Sequence, residues 1–180
     1  MPLEIIQSEP VFSGRAFTIR RYQLRLPDGR PTTFDIVQHP GAVTLVPLDD
    51  SGNILFVRQY RLGADQELLE LPAGTLKPQE DPLVCAAREV REETGLAARD
   101  LLKLGEFYMA PGYSTEHMYV YLATGLYPSP LPGDEDEFIQ VEPVPISEAY
   151  RRADQGQIQD GKSLAALLMA RPHLLSHLGE

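Results

Sequence analysis

The sequence predicts a layered α/β domain that follows a small antiparallel sheet. Short β-rich runs recur along the chain, and segments of helical periodicity lie at separate points between and after them. The chain has 180 residues, of which 43% are hydrophobic and 23% charged, and this suffices for a buried core. A break at His39-Pro40-Gly41 divides the prediction into an N-terminal β-sheet region at residues 1–39 and a larger domain at residues 40–180.

The predicted strands follow in order along the chain. Residues 11–39 alternate between apolar and polar side chains, and Pro27-Asp28-Gly29 marks a turn between two strands. Two β-rich runs, 42–48 and 54–60, flank the turn residues 49–53, which is a hairpin pattern. Further strands are predicted at residues 67–71, 101–109, 115–123 and 138–144.

Three helices complete the predicted elements. The first begins at Asp81, whose carboxylate can cap it, has Pro82 in its first turn and ends at Gly95. The second runs from Ser147 to about Gln155, and the third runs from Asp160 or Ser163 to Ala170, ended near Pro172.

The first helix concentrates negative charge. Glu89, Glu92 and Glu93 share one side of it. Two carboxylates about 5 Å apart repel by roughly 3 kcal/mol at an effective dielectric near 20, and by less than about 1 kcal/mol in open water. The cluster is therefore either a solvated surface or a cation site. The adjacent, apolar side is expected to consist of Leu83, Ala86, Ala87, Val90 and Thr94.

Neighbouring residues favour the cation site. Arg88 can orient a carboxylate through paired hydrogen bonds. Gly74 and Glu80 lie in the loop before the helix, where the chain turns sharply and can offer backbone carbonyls. Ligands that are all oxygen suit Mg²⁺ or Mn²⁺ better than Zn²⁺, and such ions suggest a phosphate-containing substrate.

The segment from Gly74 to Leu96 resembles the Nudix box. It has a glycine, five residues, a glutamate, seven residues, Arg-Glu, an aliphatic residue, any residue, Glu-Glu, any residue, a glycine and an aliphatic residue. The resemblance implies an α/β/α sandwich around a mixed sheet, with a loop–helix–loop metal site that holds two to three Mg²⁺ or Mn²⁺ ions. It also implies an enzyme that hydrolyses a nucleoside diphosphate linked to another moiety.

The resemblance also implies a role for each matching residue of the box. Glu89 and Glu93 would be the principal metal ligands, and Glu92 would be a further ligand or near-ligand. The backbone carbonyl of Ala73 would also bind metal. Arg88 would hold the glutamates in place, and Glu80 would support metal or water.

The tract Val57-Arg58-Gln59-Tyr60-Arg61 closes a predicted strand. Two arginines beside an aromatic residue could grip phosphate and stack on a base, or they could belong to an edge strand with solvated arginines. The tract resembles a segment of ADP-ribose pyrophosphatases, a Nudix subgroup, in which the second arginine approaches the substrate phosphates. The resemblance therefore favours Arg61 over Arg58, and it implies a substrate-side role for Glu70.

The segment 110–116 reads first as a turn between strands, which by itself explains Pro111 and Gly112. Pro111 also stands sixteen residues after Gly95. In this the chain resembles ADP-ribose pyrophosphatases, which have a proline at that position. The resemblance implies that Pro111, Gly112 and Glu116 lie near the substrate or metal.

The acidic stretch 134–137 is typical of a solvated loop. By resemblance it is the loop that delivers a catalytic glutamate to water, with Glu135 preferred over Glu137.

The implied reaction is hydrolysis of ADP-ribose to AMP and ribose 5-phosphate. Alternatives within the family are a GDP-sugar, another ADP-sugar, a dinucleoside polyphosphate or NADH, although no cysteine-based zinc module precedes the box. A non-catalytic metabolite sensor is a more distant alternative, since sensors of this kind tend to lose box residues and carry a DNA-binding domain.

The net charge of −10 argues against nucleic-acid binding, and the N-terminus shows no secretory or membrane signal. Cys85 is the only cysteine, which precludes an intramolecular disulfide and fits a cytoplasmic location; we expect it to be a small buried residue. The resemblance implies a homodimer in which the N-terminal sheets cross over, with Arg20, Arg21 and Tyr22 as residues that could serve the partner's site.

Overall fold

The computed structural model describes residues 3–15, 17–133 and 138–178, with side chains described as far as Leu174 in the last helix. The chain forms two compact units. The first comprises Met1–Gly41 and Phe107–His117, and the second comprises Ala42–Glu106 and Met118–Glu180.

The first unit contains an antiparallel sheet of three strands in the order β1-β2-β3. These strands are β1 (Glu4–Ser13), β2 (Thr18–Arg25) and β3 (Pro31–Gln38). The predicted turn joins β2 to β3, where Gly29 has a φ of 87° that favours glycine. The sequence predicted two strands in this region and missed β1, whose Pro10 lies beside a register shift on an edge strand that tolerates a missing N–H.

The second unit is built on two sheets and a short ladder. The larger sheet has the order β7-β4-β10-β9, the smaller β12-β5-β6, and β8 pairs with β11. The larger sheet is mixed, because β4 runs parallel to β10 and antiparallel to β7. The strands are β4 (Ala42–Pro47), β5 (Asn53–Arg61), β6 (Gln66–Glu70), β7 (Ala73–Thr75), β8 (Leu96–Ala97), β9 (Asp100–Tyr108), β10 (His117–Thr124), β11 (Tyr127–Pro128) and β12 (Gln140–Pro145).

Helices pack on both sheets of the second unit. They are α1 (Pro82–Thr94), α2 (Ile146–Asp154) and α3 (Gly161–Leu178). Both α1 and α3 contact β4, and every residue of β4 is buried, as expected of a strand covered on both faces. The core under α1 consists of Val43, Leu45, Cys85, Ala86, Val90, Tyr121 and Ala123. The predicted α/β fold with an N-terminal antiparallel sheet is confirmed, and so is the burial of Cys85.

The predicted hairpin of residues 42–60 is wrong beyond its turn. A single bridge joins Leu48 to Ile54, and Asp49 N–H donates to the Asn53 carbonyl at 3.0 Å. Past this point β4 and β5 lie in different sheets, where β4 pairs with β7 and β10, and β5 pairs with β6 and β12. The turn residues predict the reversal of the chain correctly. The strands with which β4 and β5 pair depend instead on burial of both faces of the sheet.

The third helix continues through Pro172, where the sequence predicted its end. A proline removes a backbone hydrogen bond and disfavours a helix interior. Here Leu167, Ala170 and Leu174 are buried at helical spacing on either side of the proline, so that packing holds the helix across it. None of the helices in the described part of the chain is long and apolar enough to span a lipid bilayer.

Candidate active site

Helix α1 begins and ends as its sequence predicts. Asp81 caps it by accepting a hydrogen bond from the Leu83 N–H at 2.8 Å, and Pro82 is its first residue. Gly95 has a φ of 74°, and its N–H donates to the Arg91 carbonyl at 3.1 Å. These two ends fix the length of the helix and therefore the positions of the glutamates along its axis.

The buried face of α1 differs from the predicted one. Leu83 and Ala87, expected on the apolar side, are exposed. Glu89 and Glu93 are instead buried, with 7% and 8% of their surface exposed. The apolar periodicity was misleading because two of the acidic residues themselves face inward. Inward-facing carboxylates need compensating groups, which argues against a merely solvated acidic surface.

Arg88 ties three of the box carboxylates together. Its Nη1 donates to Glu89 at 2.5 Å and to Glu92 at 2.7 Å, while its Nε and Nη2 donate to the two oxygens of Glu80 at 3.0 and 2.9 Å. The hydrogen bonds from Arg88 hold the pKa of Glu80 at about 2. The hydrogen bonds that Arg88 donates to Glu80, together with the charge of Glu89 and the hydrogen bond to Glu92, raise the pKa of Arg88. Arg88 thus fixes the side chains of Glu80, Glu89 and Glu92 relative to one another, and its catalytic role stays a prediction.

Gly74 provides the space for Glu89. A Cβ at position 74 would lie 1.8 Å from the carboxyl carbon of Glu89. Strand β7, which carries Gly74, is itself fixed by its pairing with β4, where Val43 lies opposite Gly74. The backbone approaches the carboxylate so closely that any larger residue would displace it.

The backbone before the box also contacts the cluster. The N–H of Ala73 donates to Glu93 at 3.2 Å. The sequence predicted that the carbonyl of Ala73 binds metal, and this role stays a prediction. The hydrogen bond does place Ala73 beside Glu93, one of the two principal predicted ligands.

The donor chemistry of the cluster fits a hard divalent cation. Its side chains offer only carboxylate oxygens, the ligands that Mg²⁺ and Mn²⁺ prefer. The part of the chain that the structure describes contains no group of three or more His, Cys, Asp or Glu side chains already arranged to hold a metal. Arg88 instead supplies the positive charge among Glu80, Glu89 and Glu92. The metal-ligand roles of these residues stay predictions.

Arg61 and Glu70, both predicted on the substrate side, form one ion pair. Arg61 donates from Nε and Nη2 to the two oxygens of Glu70, both at 2.7 Å. Glu70 is buried, whereas the Arg61 side chain is 41% exposed. The pKa of Arg61 is raised by its hydrogen bonds to Glu70 and further by the charges of Glu93 and Asp160. Arg61 therefore lies within electrostatic reach of the acidic helix.

Arg58 points away from Arg61. Side chains alternate along β5, so residues 58 and 61 fall on opposite faces of the sheet. Arg58 donates to Glu142 at 2.8 Å, and Arg152 of helix α2 donates to the same carboxylate at 2.7 Å. The structure does not bring the two arginines together, and Arg58 instead helps attach α2. Its substrate role stays a prediction.

The segment with Pro111, Gly112 and Glu116 lies in the first unit. It forms the predicted turn, in which the N–H of Tyr113 donates to the Ala110 carbonyl at 3.0 Å and the N–H of Glu116 to Ser114 Oγ at 3.1 Å. The substrate roles of this segment stay predictions. Glu135 and Glu137, the predicted catalytic glutamates, lie outside the described residues.

Lys162 is a residue of this region that the sequence does not predict. This residue donates from Nζ to the buried carboxylate of Glu70, although the two are 92 positions apart. The sequence predicts Asp160 or Ser163 only as the start of a helix. The available signal was the cap pattern, because Asp160 accepts from the Ser163 N–H at the start of α3 and also binds the Lys162 Nζ that lies between them in sequence.

Comparison with known proteins agrees with this geometry. A family model described as "NUDIX domain" matches residues 38–167. An ADP-ribose pyrophosphatase of Mycobacterium tuberculosis is 43% identical over 168 residues, which cover 92% of this chain and 81% of that protein. An ADP-ribose pyrophosphatase of Bacillus subtilis is 35% identical over 164 residues, covering 90% of this chain and 89% of that protein.

A protein named methanol dehydrogenase activator, from Bacillus methanolicus, is also 35% identical over 164 residues, with 90% of this chain and 89% of that protein covered. The crystal structure of an ADP compounds hydrolase superposes with a TM-score of 0.87 at 27% identity, covering 98% of this chain and 96% of that one. With its complete box, its capped acidic helix and a family match over most of its length, the chain belongs to the Nudix family of hydrolases.

Proposed function

We propose that this enzyme hydrolyses the pyrophosphate bond of ADP-ribose, or of a closely related nucleoside diphosphate sugar, to AMP and ribose 5-phosphate. The observation that carries the proposal is the cluster of box carboxylates that Arg88 orders against Gly74. The choice of ADP-ribose is supported by two relatives of that name at 35% and 43% identity.

Nudix hydrolases generally depend on divalent metal ions, and we propose Mg²⁺ or Mn²⁺, two to three ions, for this one. Glu89 and Glu93 would be the principal ligands, with Glu92, Glu80 and the Ala73 carbonyl in support. When bound, such ions supply positive charge that offsets the substrate diphosphate and makes water more acidic.

The chain's own groups have distinct tasks in this proposal. Arg88 keeps the glutamates in one orientation, which avoids reorganisation during the reaction. Arg61 offers a guanidinium fork that matches phosphate oxygens. A glutamate of the acidic loop, Glu135 or Glu137, takes the proton of the attacking water. The water oxygen bonds to one phosphorus while the bridging P–O bond breaks.

The test is a panel of nucleoside diphosphate compounds incubated with Mg²⁺ or Mn²⁺, with products identified by mass. We expect AMP and ribose 5-phosphate from ADP-ribose, and no turnover after chelation of the metal. The variant Glu93→Gln should lower kcat by about a thousandfold or more, because it removes a charged ligand without changing the side chain's shape.

Glu106→Gln is the matched control, since Glu106 lies on β9 and pairs with Lys103 at the surface. It should retain wild-type turnover. Near-normal metal-dependent hydrolysis by Glu93→Gln would refute the assigned role of Glu93. A wild-type protein that is inactive on every compound would refute the proposed hydrolase activity.

A GDP-sugar is the second candidate substrate. A GDP-mannose pyrophosphatase of Yersinia enterocolitica is 32% identical over 185 residues, and these cover 95% of this chain. The same panel separates the two substrates, because release of GMP in place of AMP would favour the second.

We also infer a cytoplasmic homodimer. The only cysteine is buried, which suits a reducing compartment. Large apolar residues are exposed on the N-terminal sheet, among them Ile5 at 61% and Phe12 at 52%. Exposed apolar side chains of this size are typical of an interaction surface.

A further inference from the structure

Glu70 is a buried carboxylate that two cations share. Only 1% of its surface is exposed. Arg61 binds both of its oxygens at 2.7 Å, and the Nζ of Lys162 donates to Oε2. An unpaired carboxylate at such a position would be strongly unfavourable. With two partners, one cation can leave while the carboxylate stays paired.

The two cations differ in how firmly the structure holds them. The Lys162 side chain is 11% exposed, against 41% for Arg61. Lys162 also donates to Asp160 at 2.8 Å, and Asp160 accepts from the N–H of Ser163 at 3.0 Å. Lys162 is therefore fixed to the first turn of α3, and Arg61 is the cation that can change partner.

The same turn is attached to the backbone that leads into the box. The Oγ of Ser163 accepts a hydrogen bond from the N–H of Leu71 at 2.6 Å and donates to Asp160. Leu71 follows Glu70 directly and stands two residues before Ala73, whose N–H contacts Glu93. The Lys162–Glu70 contact thus belongs to one hydrogen-bonded unit that joins α3 to the acidic site.

We propose that Lys162 is a positioning residue for substrate binding: it keeps Glu70 paired, and so lets Arg61 exchange that carboxylate for the phosphate oxygens of a nucleoside diphosphate. The inference rests on the proposed function, because it takes Arg61 as a phosphate contact. Lys162 does not itself touch the substrate. Without it, Glu70 depends on Arg61 alone, and Arg61 binds the carboxylate in competition with the substrate.

The first test is a comparison of KM and kcat for ADP-ribose. Lys162→Met should raise KM about tenfold while kcat changes less than about threefold, because substrate binding and not the chemical step is affected. Lys162→Arg keeps the charge and should restore most of the wild-type KM. Lys103→Met is the matched control, since Lys103 makes a surface pair with Glu106, and its KM should stay at the wild-type value. An unchanged KM in Lys162→Met overturns the inference.

A double-mutant cycle separates positioning from direct contact. Once Glu70→Gln removes the buried charge, Lys162 has no carboxylate to hold. Adding Lys162→Met to Glu70→Gln should therefore change KM by less than about twofold. A further tenfold rise would mean that Lys162 touches the substrate itself and would overturn the positioning role. The double variant loses one charge of each sign. Its comparison with Glu70→Gln therefore still tests the role of Lys162 if Lys162→Met alone proves unstable in a thermal melt.

The outcomes also distinguish this inference from the proposed function. A wild-type enzyme that cleaves none of the panel compounds refutes the function, and the inference falls with it. A wild-type enzyme that cleaves ADP-ribose, together with a Lys162→Met variant of unchanged KM, refutes only the role of Lys162.

Discussion

At several positions of this site, the neighbouring groups determine which residue type fits. Gly74 is the clearest case, because its missing side chain leaves room for the carboxylate of Glu89. Arg88 is similar in its specificity, since it donates to three different glutamates at once. A lysine would supply the charge but not the several fixed donors that this arrangement uses.

The variant Gly74→Ala tests the importance of this space. The new methyl group would displace the Glu89 carboxylate from Arg88, so kcat should fall by about tenfold to a hundredfold, the range seen when a ligand loses its support. Steady-state kinetics with ADP-ribose measures the effect. Gly63→Ala is the control, because a Cβ there meets nothing within 4 Å. Equal activity of the two variants would contradict the role given to Gly74.

At the scale of elements, α1 shows how local signals and burial act together. Its cap and its terminal glycine determine where it starts and stops, and its core contacts with β4 and β10 determine which face turns inward. The helix therefore presents Glu89 and Glu93 to the interior because Cys85, Ala86 and Val90 are packed beside them.

Loss of the cap should weaken α1 measurably. Asp81→Ala leaves the Leu83 N–H without its side-chain acceptor and should cost about 1 kcal/mol of unfolding free energy, or about 2–4 °C in Tm for a chain of this size. Asp81→Asn keeps an acceptor and should stay within about 0.5 kcal/mol of the wild type. Thermal denaturation followed by circular dichroism distinguishes the two, and an Asp81→Ala protein as stable as wild type would show that the cap is unimportant.

For the whole molecule, the sequence predicted the parts that depend on neighbouring residues. These include the ends of α1, the turn at Gly29 and the glutamates of the box. It did not predict that β4 and β5 lie in different sheets, because partners are chosen by burial across the chain. It placed the end of α3 at Pro172 because a propensity rule cannot weigh the buried Leu174 beyond it. Lys162 was missed for the same reason, since its partner is distant in sequence.

The assembly of whole chains gives a further prediction. In light scattering after size exclusion, the protein should have twice the 20.0 kDa mass of one chain. Ile5→Lys introduces a charge on the N-terminal sheet and should shift the population toward monomer, since a buried unpaired charge disfavours an interface. Leu62→Lys, at an even more exposed apolar residue outside that sheet, should leave the mass unchanged. A wild-type monomer would contradict the dimer.

The bond between Ser163 and Leu71 has a consequence for biosynthesis. A ribosome releases the acidic helix well before it releases α3, so a nascent chain carries its glutamates before it has the anchor behind them. We therefore expect the backbone that leads into the acidic site to be held in place only after α3 has packed against it.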